Sequence, residues 1–231
     1  MTSSRLILPV AGIVLAVGAV SLQAANKAVQ RADRAARVLS EVMESKDKSI
    51  PQALLPKAHC VAIIPGMKKV GFGLGGKYGK GVISCRAKGG KGWTGPSTVK
   101  IEGGSIGLQI GGSSTDVVLL VMNERGKEKL LSSKFTLGAD ASVAGGPVGR
   151  TAQAQTDAQM HAEILSYSRS RGVFAGVSVE GATLRPDREA DMRIYGHEVS
   201  PKQILFGEIP PPASTVRLTN TLNKYSSSEH Q

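Results

Sequence analysis

Gly103-Gly-Ser-Ile-Gly-Leu-Gln-Ile-Gly-Gly-Ser-Ser-Thr-Asp-Val-Val-Leu-Leu-Val-Met122 holds two kinds of strand in succession. In its first part Ile106, Leu108 and Ile110 alternate with Ser105, Gly107, Gln109 and Gly111, the period of a strand with one apolar face. In its second part residues 117–122 are apolar without interruption, as in a strand covered on both faces. Upstream, Cys60-Val-Ala-Ile-Ile-Pro65 is a second buried strand, and residues 68–86 alternate and are broken by glycines, which suits a hairpin. Trp93-Thr-Gly-Pro96 is a turn, and residues 54–55 sit in a short helix.

Downstream the spacing predicts a short helix over 127–133 and extended structure over 135–148 with a bend at Gly145-Gly-Pro147. Residues 164–167 and 173–179 form a strand pair. Pro186 and Gly196 bracket a helix as first-turn and stop residues. Pro210-Pro-Pro212 leads stiffly into a last helix that buries Val216, Leu218 and Leu222, and residues 226–231 are a disordered end. Before the strands, residues 26–46 have a helical pattern. Val29, Ala32, Ala36, Leu39 and Met43 recur at spacings of three and four, with Lys27, Arg31, Arg34 and Arg37 around the other side. Two readings of that helix stand side by side: a basic amphipathic helix lying on a membrane, or a helix packing Val38, Leu39, Val42 and Met43 on the core with its arginines in water.

The expectation is one α+β domain, mainly antiparallel and barrel- or sandwich-like, with flanking helices at both ends. It spans residues 26–226, between a leader at 1–25 and a tail at 227–231. The 28 glycines and the 4% aromatic content favour strands and close backbone contacts over a helical bundle. The leader rests on Arg5, an apolar run over 6–22 and small residues at Ala24-Ala25, a secretory pattern with an uncleaved anchor as its alternative. The pattern implies an exported protein: periplasmic, in the cell envelope, or secreted. In such a chain the only two cysteines, Cys60 and Cys85, make a disulfide more readily than a metal site, with two buried thiols as the alternative.

The formal net charge of +11 is unevenly placed. From Lys48 through Ile101 there are ten Lys or Arg residues, Lys48 included, and no Asp or Glu. Such a block points to an anionic partner, against the plain reading of a solvated surface. Nucleic acid is disfavoured, because single-strand readers stack bases on aromatic platforms and the aromatics here are few and scattered.

Letter-level motifs carry no chemistry. Gly71-Phe-Gly-Leu-Gly-Gly76 spells a dinucleotide fingerprint and, with Lys77, a near-Walker loop, but Lys77-Tyr-Gly-Lys-Gly81 is no helix start. Gly103-Gly-Ser105-Ile-Gly107 spells a nucleophile elbow, yet the residues after Ser105 alternate as a strand, and His59, His161 and His197 have no local signature. A serine hydrolase using Ser105 is a minor alternative; no metal ligand set and no cofactor are expected.

Four strings, in order, resemble the SYLF domain family: Gly92-Trp-Thr-Gly-Pro-Ser97, Gly103-Gly-Ser-Ile-Gly-Leu-Gln-Ile-Gly111, Phe135-Thr-Leu-Gly-Ala-Asp-Ala-Ser-Val-Ala-Gly-Gly-Pro-Val-Gly-Arg150 and Ser166-Tyr-Ser-Arg-Ser-Arg-Gly-Val-Phe-Ala-Gly-Val-Ser-Val-Glu-Gly181. The cysteine pair and the leader resemble the family's bacterial, exported branch. Eukaryotic members bind phosphoinositides beside actin-linked endocytic machinery and usually carry extra adaptor domains; none is seen here, so those roles are not carried over. The resemblance implies non-catalytic binding of acidic phospholipid through basic residues and an N-terminal amphipathic helix, with phosphatidylglycerol, cardiolipin or a host lipid as candidates. Lys27, Arg31, Arg34 and Arg37, with Lys68, Lys69, Lys77 and Lys80, are the expected surface, each cation near an anionic bilayer contributing on the order of 1 kcal/mol. The competing expectation is an exported structural protein that binds acidic polysaccharide or a protein partner through the same patch.

Overall fold

A computed structural model describes residues 11–45, 49–132, 134–149, 161–170, 173–177 and 179–227, with side chains except at 11–26, 72–74, 105–111 and 173. A helix α1 (Ala11–Met43) leads into two long strands, β1 (Cys60–Cys85) and β2 (Ser97–Val121), and a short helix α2 (Glu124–Leu130). Five short strands come next: β3 (Phe135–Thr136), β4 (Val143–Gly145), β5 (Ile164–Ser170), β6 (Val173–Gly176) and β7 (Thr183–Pro186). Helices α3 (Arg188–Tyr195), α4 (Pro201–Leu205) and α5 (Val216–Ser226) complete the chain. The architecture is α+β. One seven-stranded sheet is antiparallel at every pairing except β4 with β5.

β1 and β2 pair from Cys60 opposite Val121 to Ile83 opposite Ser97. The other edge of β2 is shared, β7 pairing with residues 99–102 and β5 with residues 116–121. Asp116 fixes both neighbours there: it accepts the Gly66 N–H of β1 at 2.8 Å and takes Arg169 of β5 at 2.7 and 3.1 Å.

A 26-residue strand laid straight would run about 80 Å. Yet Cys60 and Cys85 are disulfide-bonded with Cα atoms 3.9 Å apart, and the Arg86 N–H donates to the His59 carbonyl at 2.8 Å. The β1–β2 ribbon therefore doubles back on itself. Gly81 permits the approach, since a Cβ there would lie 2.3 Å from the Ile63 carbonyl oxygen.

The doubling makes two cores. Between the ribbon's halves lie Cys60, Ala62, Ile64 and Met67 with Ile83, Val99 and Ile101. On the outer face Val61, Ile63, Val118 and Leu120 pack against Leu39, Val42 and Met43 of α1 and Leu218 and Leu222 of α5. Residues 117–121 alternate between the two clusters, so every one of them is buried. Full burial of side chains of this size contributes roughly 1.5–3 kcal/mol each.

Several expectations change. Residues 68–86 do not pair with one another as a hairpin; residues 68–85 belong to one strand paired with β2 that doubles back as a whole, and Gly79 and Gly81 sit where its halves touch. Leu54 and Leu55 are buried, but on turns running into Pro56, not on a helix. α2 starts three residues earlier than expected, where the Asn123 side chain accepts the Gly126 N–H at 2.8 Å as N-cap. Val216 is 39% exposed, while Leu218 and Leu222 are buried as expected. Ser226 is ordered, its hydroxyl accepting the Trp93 indole N–H at 2.8 Å. The expected apolar face of 106–110 falls on side chains outside those described, as do residues 1–10 of the expected leader and 228–231 of the tail. Residues 11–25 continue into the domain's first helix, and no helix among the described residues is long and apolar enough to cross a membrane.

Candidate functional site

The apolar stripe of α1 faces the protein. Ala32, Ala36, Leu39, Val42 and Met43 are buried against the sheet and α5, and Ala28 packs with Ala190 and Ile194 of α3. Lys27, Arg34 and Arg37 are exposed, so over residues 27–43 the face this helix turns to solvent carries its charges. Arg31 differs: only 8% exposed, it points at α3 and donates to Asp187 Oδ2 at 3.4 Å.

Asp187, the residue before α3, gathers cations from three elements. Besides Arg31 of α1 it meets Lys100 of β2 at 3.2 Å and Lys80 of β1 at 3.7 Å. Lys80 and Lys100 are direct cross-strand partners. Like charges so placed repel, and the carboxylate between them removes the conflict. Burial pushes the Asp187 carboxyl up, but the Lys100 hydrogen bond and the charges of Lys100, Lys80 and Arg31 outweigh it and hold the group below the usual carboxylate range.

One turn on, Asp191 is fully buried. It accepts the Ser97 hydroxyl at 2.8 Å, the Thr98 N–H at 2.6 Å and the Thr98 hydroxyl at 2.8 Å. Burial raises its pKa to about 6 despite those donors. The pair of aspartates ties α3 to the start of β2 and to α1.

The remaining predicted cations lie on the ribbon. Lys68 is exposed and stands opposite Ser114, Lys69 opposite Ser113 and Lys77 opposite Gly103, so no acid faces them across the ladder. Lys77 donates to the Glu180 carbonyl at 3.0 Å. Burial and then the charge of Lys69 lower its pKa, which places these two ammonium groups in one electrostatic neighbourhood. Val70, between the paired lysines and Gly71, is 63% exposed. Among the described residues no ion pair involves Lys27, Arg34, Arg37, Lys68 or Lys69.

The structure thus brings Arg31 and Lys80 together at Asp187, and Lys69 near Lys77. Lys100 belongs with the first group and was foreshadowed by the acid-free run ending at Ile101. Asp187 had no signal beyond a helix start after Pro186. Ser105 stands within β2 opposite Gly75, not at a strand-to-helix elbow. Among the described residues no three His, Cys, Asp or Glu side chains gather as a metal site.

A protein-family model described as "Ysc84: Las17-binding protein actin regulator" matches residues 102–225. The chain belongs to the Ysc84 (SYLF) family. It is 32% identical over 201 residues to the rat SH3 domain-containing YSC84-like protein 1, covering 84% of this chain and 58% of the relative. It is 38% identical over 190 residues to LAS seventeen-binding protein 3 of Saccharomyces cerevisiae, covering 78% and 41%, and 36% identical to Protein YSC84 of the same yeast, covering 78% and 40%. This Ysc84-family chain therefore spans roughly half the length of the curated relatives it matches. The matched span of 102–225 runs from the first part of β2 to α5, so the predicted cations of α1 and β1 precede it.

Proposed function

We propose that this Ysc84-family domain binds anionic phospholipid surfaces without catalysis, using Lys27, Arg34 and Arg37 of α1 with Lys68, Lys69 and Lys77 of the ribbon. The observation that carries the reading is this set of cations, exposed at Lys27, Arg34, Arg37 and Lys68 and half-buried at Lys69 and Lys77, none of which has an ion pair among the described residues. Arg31 and Lys80, turned to Asp187, serve the scaffold in this reading and leave the membrane contact to the others. At on the order of 1 kcal/mol per cation, three or four engaged at once give weak, salt-sensitive attachment. The chain acts as an exported peripheral protein: the leader-like residues 1–25 and a disulfide suited to an oxidising compartment support that placement.

Sedimentation with vesicles tests it. Binding to phosphatidylglycerol vesicles, absent with phosphatidylcholine and weakened by salt, is the expected result. Reversal of Arg34, Arg37 and Lys68 to glutamate should reduce it strongly; unchanged binding by that variant overturns the assignment of these residues.

The names of the yeast relatives favour a second reading, a protein partner docked on the same surface. A chain that ignores all vesicles but is displaced from an acidic protein or polysaccharide by soluble polyanions would select it.

A further inference from the structure

A second cationic feature lies away from the ribbon's exposed lysines. Where the two ends of β1 meet beside the disulfide, a cleft of about 370 Å³ opens between the segment entering β1, the loop leaving it, and the start of α2. That volume is in the range of small-molecule sites. Among the described residues Lys57, Arg86, Lys88 and Lys127 line it with Glu124 as the sole acid, which leaves three positive charges in excess, and His59 adds a fourth when protonated.

The cleft's walls are fixed. Arg86 donates to the carbonyls of Leu55 and Pro56 at 3.1 Å and of Ala58 at 3.3 Å, and lies 4.2 Å from the centre of the Trp93 ring. No carboxylate touches it among the described residues, so its charge is held in place and uncompensated. Glu124 takes Lys127 at 2.8 Å and His59 Nδ1 at 2.9 Å, setting both against one side. Gly89-Gly90 also line the cleft, with φ values of 85° and 75° that suit glycine. No atom lies within 4 Å of where their side chains would be, so a ligand can approach the backbone there.

We propose that this cleft binds a small phosphate ester, the phosphate facing Arg86, Lys57 and Lys88 and a polyol-sized remainder filling the space beside Glu124. The inference goes beyond the membrane reading: the ester can be soluble or the headgroup of a lipid, and the cleft shares no residue with the surface assigned to vesicles. Phosphate suits the cations because charge-assisted hydrogen bonds to it are short and strong.

Amide shifts of the isotope-labelled full chain at low ionic strength test the proposal, with glycerol 3-phosphate as probe and glycerol as uncharged control. Saturable shifts at Lys88, Gly89 and Gly90 with the ester alone are expected. The double variant Lys57→Glu/Lys88→Glu, both positions exposed, should weaken them roughly tenfold or more. Its thermal midpoint reports whether it folds, and the shift map of the unaltered chain stands without it. The triple reversal of Arg34, Arg37 and Lys68 should leave the isotherm unchanged, which separates this site from the membrane surface. With phosphatidylglycerol vesicles, broadening of the same amides that glycerol 3-phosphate reverses assigns a lipid source; vesicle binding that spares those amides assigns a soluble one. No saturable shift at these amides with either probe, or shifts that a folded double variant retains, overturns the proposal.

Discussion

Arg31 and Asp187, 156 positions apart, form a buried ion pair that docks the first helix on the third. Removing one member of such a pair leaves the other charged and desolvated, at about 3 kcal/mol or more. Asp187→Ala is therefore expected to lower the thermal midpoint sharply, because Lys80 and Lys100 lose their shared counter-ion at the same time. A midpoint within a degree of the parent's would show that the three cations are satisfied without it.

The same pair dictates how the proposed membrane surface is to be probed. Arg31→Glu sets a carboxylate against Asp187 and is expected to unfold the helix contact, so its loss of vesicle binding would report stability. Arg34→Glu and Arg37→Glu, both exposed, should shift unfolding free energy by no more than about 0.5 kcal/mol each. Urea titration of the three variants separates the cases.

Asp191 carries a pH signature. Its folded pKa of about 6 stands above the ordinary value of 3.8, so the folded chain holds this proton more tightly than the unfolded one. Stability from this group is present below the ordinary value, is lost as pH rises through about 6, and the full difference amounts to about 3 kcal/mol. Asp191→Asn keeps an acceptor for Thr98 and abolishes the titration. The stability of the parent relative to this variant should rise as pH is lowered from about 7.5 to about 4.5, read by urea unfolding; a flat difference removes Asp191 as the titrating group.

The ribbon's closure has two independent locks. Opening the 25-residue separation between Cys60 and Cys85 is expected to lower stability by about 3.5 kcal/mol on the chain-entropy relation. Gly81→Ala should cost about 3 kcal/mol with the disulfide intact, since its methyl group meets backbone that cannot move aside. Denaturation of each variant, with and without reductant, checks both.

Much of this architecture was legible because burial on two faces leaves a plain mark. Cys60-Val-Ala-Ile-Ile64 and Val117-Val-Leu-Leu-Val121 are apolar throughout, and they are the paired strands that carry both cores. Glycines misled in 68–86, because Gly79 and Gly81, which let the folded-back halves of one strand touch, look the same in sequence as the turn of a self-paired hairpin. Periodicity separated the buried stripe of α1 from its charged side but put Arg31 on the wrong one. Its burial depends on a carboxylate that only the folded chain brings near. The cleft beside the disulfide was hidden for a similar reason: Lys57, Arg86 and Lys127 are distant in sequence and meet only because the ribbon closes.

Asp116 has a role that composition conceals. The run from Val117 to Val121 would remain wholly aliphatic on both sides after slipping by one position, so greasiness alone gives its pairing no address. By gripping Gly66 on one neighbour and Arg169 on the other, Asp116 proofreads both alignments from a single side chain. A chain without it would still collapse and still build strands. Its defect would be multiplicity, several near-equivalent alignments in place of one.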